Sequence, residues 1–360
     1  MLKTKLNRMN RLLIFVFFVF IGCNKKDNSV VTPVKPFQII ACDMSFLPQI
    51  RQNNIQTKNQ YGQSEDMLVT LQKAGVNTIR LRIWNNPSDG HSGLSEVKTL
   101  AGEIHQRGMK VWLTVHYSDS WADPGNQQKP LAWEDATYVQ LKDSVYSFTK
   151  KLMTEINPDF IQIGNEINNG LLWPEGNSSN PEHMNELIKQ GIKAVRDCQT
   201  PTKIILHYAG YKDAIPFYSK LSSADYDIIG LSYYPHWHGK SLDSLQLMLS
   251  AIGSQVNKDI VIAETAYPFT FGWNDWTNNI IGDSSQILPE FPASPLGQHD
   301  FLQSIKSIIL TSPRGIGFCY WGAEWIAFQG NQATNGSSWE NQALWNFNNQ
   351  ASYAIQVFSE

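Results

Sequence analysis

The chain has 360 residues and a formal net charge of −3, enough for one large domain and without the basic surplus that nucleic-acid binding uses. Charged residues make up only 17% of it, against 12 Trp, 13 Tyr and 17 Phe. That balance argues against a strongly charged partner and fits a neutral, flat ligand such as a sugar, with much of the aromatic content going into an ordinary core.

The N-terminus reads as a targeting segment. Lys3, Lys5, Arg8 and Arg11 precede an apolar run over 12–21 that is too short to cross a bilayer comfortably. The run ends Phe20-Ile21-Gly22-Cys23, which resembles a bacterial lipobox. That resemblance implies removal of a lipoprotein signal peptide over 1–22 and lipid attachment at Cys23. An ordinary signal peptide with an incidental cysteine is the plainer alternative. Residues 23–36 are polar and contain proline, and they read as a flexible tether to a domain over 37–360. A cell-envelope protein is expected, touching a membrane only through its lipid, with the surface and periplasmic faces both open. Of the remaining cysteines, Cys42 and Cys319 fall in the first and last expected strands; they could be bridged, though two buried thiols suit so sparse a set better.

Strand-like and helix-like segments then alternate. Short apolar runs predict strands over 38–43, 78–84, 110–116, 160–166, 203–207, 228–233, 260–264 and 315–321. Amphipathic periodicity predicts helices over 65–74, 96–107, 138–156, 181–198, 242–252 and 298–311, and a last one near 341–350. Eight strands alternating with helices predict a single-domain (β/α)8 TIM barrel of the α/β class. A doubly wound sheet would call for a glycine-rich phosphate turn after an early strand, and there is none. The loop over 266–296 is long and carries Phe269, Phe271, Trp273, Trp276 and Phe291, a content that favours function over disorder.

In such a barrel, sites form at the C-terminal strand ends. Here those ends are polar or aromatic all round: Asp43, Arg82 with Trp84, His116-Tyr117-Ser118-Asp119, Asn165-Glu166, His207, Tyr233-Tyr234 through His238, Glu264 and Trp321. Packing accounts for any one of them but does not predict the shared habit. Buried core roles compete for His116, His207, Trp321, Tyr117 and Trp121, and Asp119 could pair with a cation. Two carboxyl groups at one barrel mouth suit glycoside hydrolysis, which needs one protonated and one ionised. Glu264 within reach of an inward Arg82 would be the ionised nucleophile, and Glu166 beside neutral Asn165 the proton donor. Strands four and seven face each other across the ring, which would bring the two groups to roughly 5 Å, the separation of a retaining enzyme.

Several segments resemble the arabinogalactan endo-β-1,4-galactanases of glycoside hydrolase family 53. They are Ile79-Arg80-Leu81-Arg82-Ile83-Trp84, the run from His116 through Asp119 and Trp121 to Gly125, Gln162-Ile163-Gly164-Asn165-Glu166-Ile167, the run from Ser232 through Tyr233, Tyr234 and His238 to Gly239, and Ala263-Glu264-Thr265-Ala266-Tyr267-Pro268. The resemblance covers the chain from about residue 37 onward. It implies a TIM barrel, hydrolysis with retention, β-1,4-galactan as the polysaccharide substrate, and short galacto-oligosaccharides as products. It also implies Glu166 as acid/base and Glu264 as nucleophile. Asp43, Arg82, Trp84, His116, Tyr117, Asp119, Trp121, Asn165, His207, Tyr233, Tyr234, His238 and Trp321 are the expected sugar contacts. Catalysis is expected to need no cofactor and the protein to be a monomer. Some bacterial relatives hold a structural calcium in the late loops; Asp275, Asp283 and Glu290 could contribute here, but their spacing matches no calcium loop and no metal is assigned. Ala41-Cys42-Asp43 and Tyr320-Trp321-Gly322-Ala323-Glu324-Trp325 depart from the family pattern. A barrel endo-glycanase acting on mannan or glucan is one alternative. A surface lipoprotein that binds glycan without cutting it is another, and it would have one of the two carboxylates missing or misplaced.

Overall fold

The computed structural model describes residues 38–359. The segments expected to be a signal peptide over 1–22, a lipidated Cys23 and a tether over 23–36 lie outside those residues. Each of the eight apolar runs forms a strand: β1 Ile39–Asp43, β2 Thr78–Ile83, β3 Lys110–Val115, β4 Phe160–Ile163, β5 Lys203–Ala209, β6 Ile228–Ser232, β7 Asp259–Thr265 and β8 Gly315–Tyr320. All pair in parallel and in chain order, and β8 closes on β1, giving a (β/α)8 barrel. The strands are buried on both sides, as parallel strands wrapped by helices must be.

The helices in chain order are α1 Leu47–Gln52, α2 Met67–Lys73, α3 Leu94–Gln106, α4 Tyr138–Ile156, α5 Pro181–Arg196, α6 Ala214–Lys220, α7 Pro235–His238, α8 Leu242–Val256 and α9 Pro295–Thr311. Local chemistry sets their starts. Asp66, Thr137, Asn180, Ser241 and Ser294 each accept a backbone N–H in the first turn of α2, α4, α5, α8 and α9. The short helices α1, α6 and α7 escaped the sequence reading because one or two turns carry too little periodicity.

No helix forms over 341–350, contrary to expectation. Asparagine side chains there compete for backbone groups. Asn341 Nδ2 donates to the carbonyls of Thr270 and Ile281, Asn346 Oδ1 accepts from the N–H of Asn348 and Gln350, and Asn349 is left-handed. The chain ends in a 3-10 segment, Tyr353–Phe358.

Two cores result. Ile39, Ala41, Trp112, Phe160, Ile205, Val261 and Cys319 belong to a small cluster at inward-facing strand positions, while a larger layer lies between strands and helices. Cys319 belongs to the first and Cys42 to the second, and both are free buried thiols.

Beyond β7 and β8 the two longest loops are fastened together. Trp276 N–H donates to Ala333 O and Ile280 N–H to Ser338 O, while Glu340 Oε1 accepts the Asn274 N–H. Of the aromatic residues in the β7 loop, Phe269 is buried, Phe271 and Phe291 pack on the core, and Trp273 and Trp276 are exposed.

Candidate active site

Alternation along a strand sends every second side chain inward. Asp43, Arg80, Arg82, His116, His207, Ser232 and Tyr234 all fall on that beat, above the inward core residues of their strands. Glu264 does not, because Val261 and Ala263 on β7 already face the interior. The register of β7 shifts against both neighbours near residues 262–265, and this irregularity turns Glu264 into the barrel mouth. On the other side of the ring, β4 ends in a tight turn. Gly164 has φ +78°, and a Cβ there would sit 2.5 Å from Ile167 Cγ2. Glu166 follows at φ +47°, a costly conformation for a residue with a side chain.

Both glutamates line one cavity of about 580 Å³, together with Asp43, Arg80, Arg82 and His116. Trp121, Asp123, Asn165, Tyr234, Trp237, His238, Trp321, Trp325 and Trp339 complete most of its wall, and Ile280 reaches it from the β7 loop.

Arg80 organises the floor. Its Nη2 donates to Glu264 Oε1 at 2.7 Å and to Asn165 Oδ1 at 3.0 Å, and its Nη1 to Asp43 Oδ2 at 3.1 Å. The sequence reading gave this pairing to Arg82, and the structure corrects it. Both arginines face inward, but Arg80 lies one pleat deeper, roughly 6.6 Å along the strand and level with Asp43. Arg82 packs instead between Phe46 and Trp121, its guanidinium 4.1 and 4.3 Å from the two ring centroids, and donates to His91 Nε2. Burial pulls the Arg82 pKa down to about 10.

The two carboxyl groups differ in their partners. Glu264 accepts from Arg80 and from the Tyr234 hydroxyl at 3.1 Å. Among the described residues Glu166 makes no ion pair; its Oε1 meets the Ser232 hydroxyl at 2.5 Å. Burial, and then the charge of Glu264, raise Glu166 to about 8. Burial raises Glu264 too, opposed by the Arg80 charge and hydrogen bond. Because only Glu264 holds the guanidinium directly, the first proton to leave the pair leaves Glu264. His116 accepts the Ala122 N–H on Nδ1, which leaves its ring proton on Nε2, and burial followed by Arg80 and Arg82 hold it neutral. His238 is likewise lowered, to about 4, by burial.

Five expected sugar contacts stand outside the cavity wall. Tyr117 and Tyr233 occupy the outward beat: Tyr117 bonds Thr149 on α4, and Tyr233 stacks on Phe301 and donates to Gly239 O. Asp119 accepts the N–H groups of Asn86 and Leu131 and so fastens two loops. Trp84 sits behind Trp121, edge to face at 5.5 Å. His207 is wholly buried beneath the floor, with Nε2 at 2.9 Å from Ser232 Oγ.

Other lining residues were not singled out from sequence. Arg80 had a signal, since it shares the inward face with Arg82. Asp123, Trp237 and Trp325 stand within the strand-end segments quoted above, whereas Trp339 lies far along the β8 loop with no periodicity to mark it. The tryptophans form a connected wall: Trp121 is 6.0 Å from Trp321, Trp321 is 4.7 Å from Trp339, and Trp339 is 6.3 Å from Trp237 with the planes within 11°. Of the carboxylates considered for calcium, Asp275 is buried, whereas Asp283 caps a 3-10 turn by accepting the Ser285 N–H. Glu290 is exposed, and among the described residues no three His, Cys, Asp or Glu side chains group as for a metal ion.

The chain matches the model of glycosyl hydrolase family 53 over residues 39–358. It is 31% identical to the endo-β-1,4-galactanase of Bacillus subtilis, over 89% of this chain and 85% of that protein. It is also 31% identical to the arabinogalactan endo-β-1,4-galactanase of Cellvibrio japonicus, over 88% of each. The solved GH53 catalytic domain of Ignisphaera aggregans superposes with a TM-score of 0.83 at 36% identity, covering 90% of this chain and 98% of that one. With the barrel, the paired glutamates and the sequence match all running through the same residues, the chain belongs to glycosyl hydrolase family 53.

Proposed function

We infer that the protein is a retaining endo-β-1,4-galactanase that cuts β-1,4-galactan to short galacto-oligosaccharides. One observation carries the chemistry: two carboxyl groups line one cavity with opposite electrostatic settings, Glu264 on a guanidinium and Glu166 held at about 8 without one. Ionised Glu264 attacks the anomeric carbon while Glu166 gives its proton to the departing glycosidic oxygen. Glu166, now ionised, then takes a proton from the water that releases the glycosyl-enzyme. Arg80 and Tyr234 hold Glu264 for the attack. The tryptophan wall offers apolar faces to the C–H faces of the sugar rings. The reaction uses two carboxyl groups and water and calls on no cofactor. The galactan assignment is supported by the relatives named for that activity, which align over most of their own length.

We place the enzyme in the cell envelope, held by a lipid on Cys23, on the strength of residues 1–36 alone. Cutting the polymer there would yield fragments short enough to import. Metabolic labelling with a palmitate analogue, compared between wild type and Cys23→Ala, tests the anchor. Loss of label supports it, and equal labelling overturns it. Product profiling on linear β-1,4-galactan beside arabinan, mannan and glucan tests the activity. Short galacto-oligosaccharides from galactan alone are expected, and turnover of mannan or glucan in their place would redirect the assignment.

A further inference from the structure

His207 has no route to a sugar, yet it is joined to Glu166 through one hydroxyl. Its Nε2 lies 2.9 Å from Ser232 Oγ, and that oxygen lies 2.5 Å from Glu166 Oε1. Its Nδ1 lies 3.1 Å from Gln162 Nε2 and 3.1 Å from Asn165 Oδ1. The neighbours fix both amides. Gln162 Nε2 also faces two acceptors, Gly164 O and Asn165 Oδ1, each at 3.0 Å, so it is the nitrogen. Asn165 Nδ2 donates to Ala122 O at 2.9 Å while Arg80 donates to its Oδ1, so Oδ1 faces the ring. Nδ1 therefore sits equally far from one donor and one acceptor, and Nε2 sits on a hydroxyl that can act as either.

Two complete hydrogen-bond schemes fit this arrangement. With Glu166 protonated, its O–H donates to Ser232 Oγ, the Ser232 O–H donates to His207 Nε2, and His207 Nδ1–H donates to Asn165 Oδ1. With Glu166 ionised, the Ser232 O–H turns to the carboxylate, His207 Nε2–H donates to Ser232 Oγ, and Nδ1 accepts from Gln162. The ring holds one proton in both schemes, on Nδ1 in the first and on Nε2 in the second. The schemes differ by one proton, at Glu166. Over a titration the ring proton changes sites by exchange with water, with no net gain.

We propose that Ser232 and His207 are positioning residues forming a two-state relay that supports Glu166 equally as acid and as base. The relay rests on the reading of Glu166 as the acid/base, whose two roles require both states of one carboxyl group. Burial, then the Arg80 charge, keep the His207 ring neutral, as the relay requires. The charged and titratable groups facing the relay are Arg80 from β2, His116 and Asp123 from the end of β3, Tyr234 after β6, His238 on α7 and Glu264 on β7. His116 and His238 are lowered into the neutral form, while Arg80 and Tyr234 are raised. Glu264 is already ionised on Arg80, which leaves Glu166 to drive the relay near pH 8.

Nitrogen NMR of ¹⁵N-histidine-labelled protein tests the relay, with the His207 signals identified by their loss in His207→Gln or their displacement in Ser232→Ala. The expected result is a neutral ring whose proton moves from Nδ1 to Nε2 as pH rises through about 8, the midpoint matching the alkaline limb of kcat/KM. In Glu166→Gln the ring should hold one tautomer throughout. In Ser232→Ala the limb should move upward by about one pH unit, because the carboxylate form loses its donor. A single wild-type tautomer across the range, or an unmoved limb in Ser232→Ala, overturns the relay; a merely structural hydroxyl would alter kcat or KM and leave both in place. Full galactan turnover by Glu166→Gln would instead remove the acid/base reading itself. Lost turnover in that variant, together with a wild-type ring that never switches, overturns the relay alone.

Discussion

The ends of β4 and β7 present the same side chain by opposite means. On β7 an irregularity within the strand turns Glu264 inward onto a guanidinium and a phenol, so its surroundings favour charge. On β4 the strand stops, the backbone passes through two left-handed residues, and Glu166 comes to rest on a serine hydroxyl in a half-buried place whose surroundings resist charge. The chemical division between the two carboxyl groups thus follows from which neighbours each strand end reaches, with backbone geometry deciding the reach.

Substitutions can break that division. Glu264→Ala should have the largest effect, a fall in kcat on linear galactan of roughly 10⁴-fold or more, measured as reducing-sugar release. Bound oligosaccharide should be retained in calorimetry; undiminished turnover would dismiss the nucleophile. Glu166→Gln should cost roughly 10²–10⁴-fold on galactan and much less on an aryl galactoside whose leaving group needs no proton. Glu166 is protonated below its raised pKa, so wild-type kcat/KM should fall as pH climbs past about 8. The glutamine variant should lack that limb, and equal losses on both substrates would argue against proton donation.

The two arginines sharpen the comparison further. Arg80→Gln leaves Glu264 buried without its cation, so it should lower kcat by about 10²-fold and cost about 3–5 kcal/mol of stability, visible as a lower Tm. Arg82→Gln should act chiefly on KM, because its guanidinium supports the aromatic wall and makes no ion pair with Glu264. The reverse pattern would restore the pairing expected from sequence. The smallest change is expected for Trp237→Ala, a rise in KM of about 2–12-fold with kcat nearly constant, the worth of one ring–sugar face taken from aromatic contacts.

The barrel was legible because its signals are local: an apolar run, a polar end, then a helix with a recognisable start. Much of the site was legible for the same reason, and strict alternation along β3 and β6 would have separated His116 from Tyr117 and Tyr234 from Tyr233. Alternation alone would have sent Glu264 outward, since the irregularity in β7 leaves no mark in its composition. The choice between Arg80 and Arg82 depends on the register of β2 against β1, a pairing between distant segments. Trp339 joins the wall only because the β8 loop folds back, and the asparagine-rich stretch after it resembled a helix until its side chains took up the backbone groups.

That folding back has a practical side. The β7 and β8 loops exchange backbone hydrogen bonds at Trp276 with Ala333 and at Ile280 with Ser338, and Asn341 spans from one to the other. Ile280 and Trp339, one from each loop, face the same cavity. An engineer seeking a longer or shorter cleft would have to transplant the two segments as one cassette. Exchanging either alone strands the other's carbonyls and N–H groups and dismantles the wall it was meant to redesign.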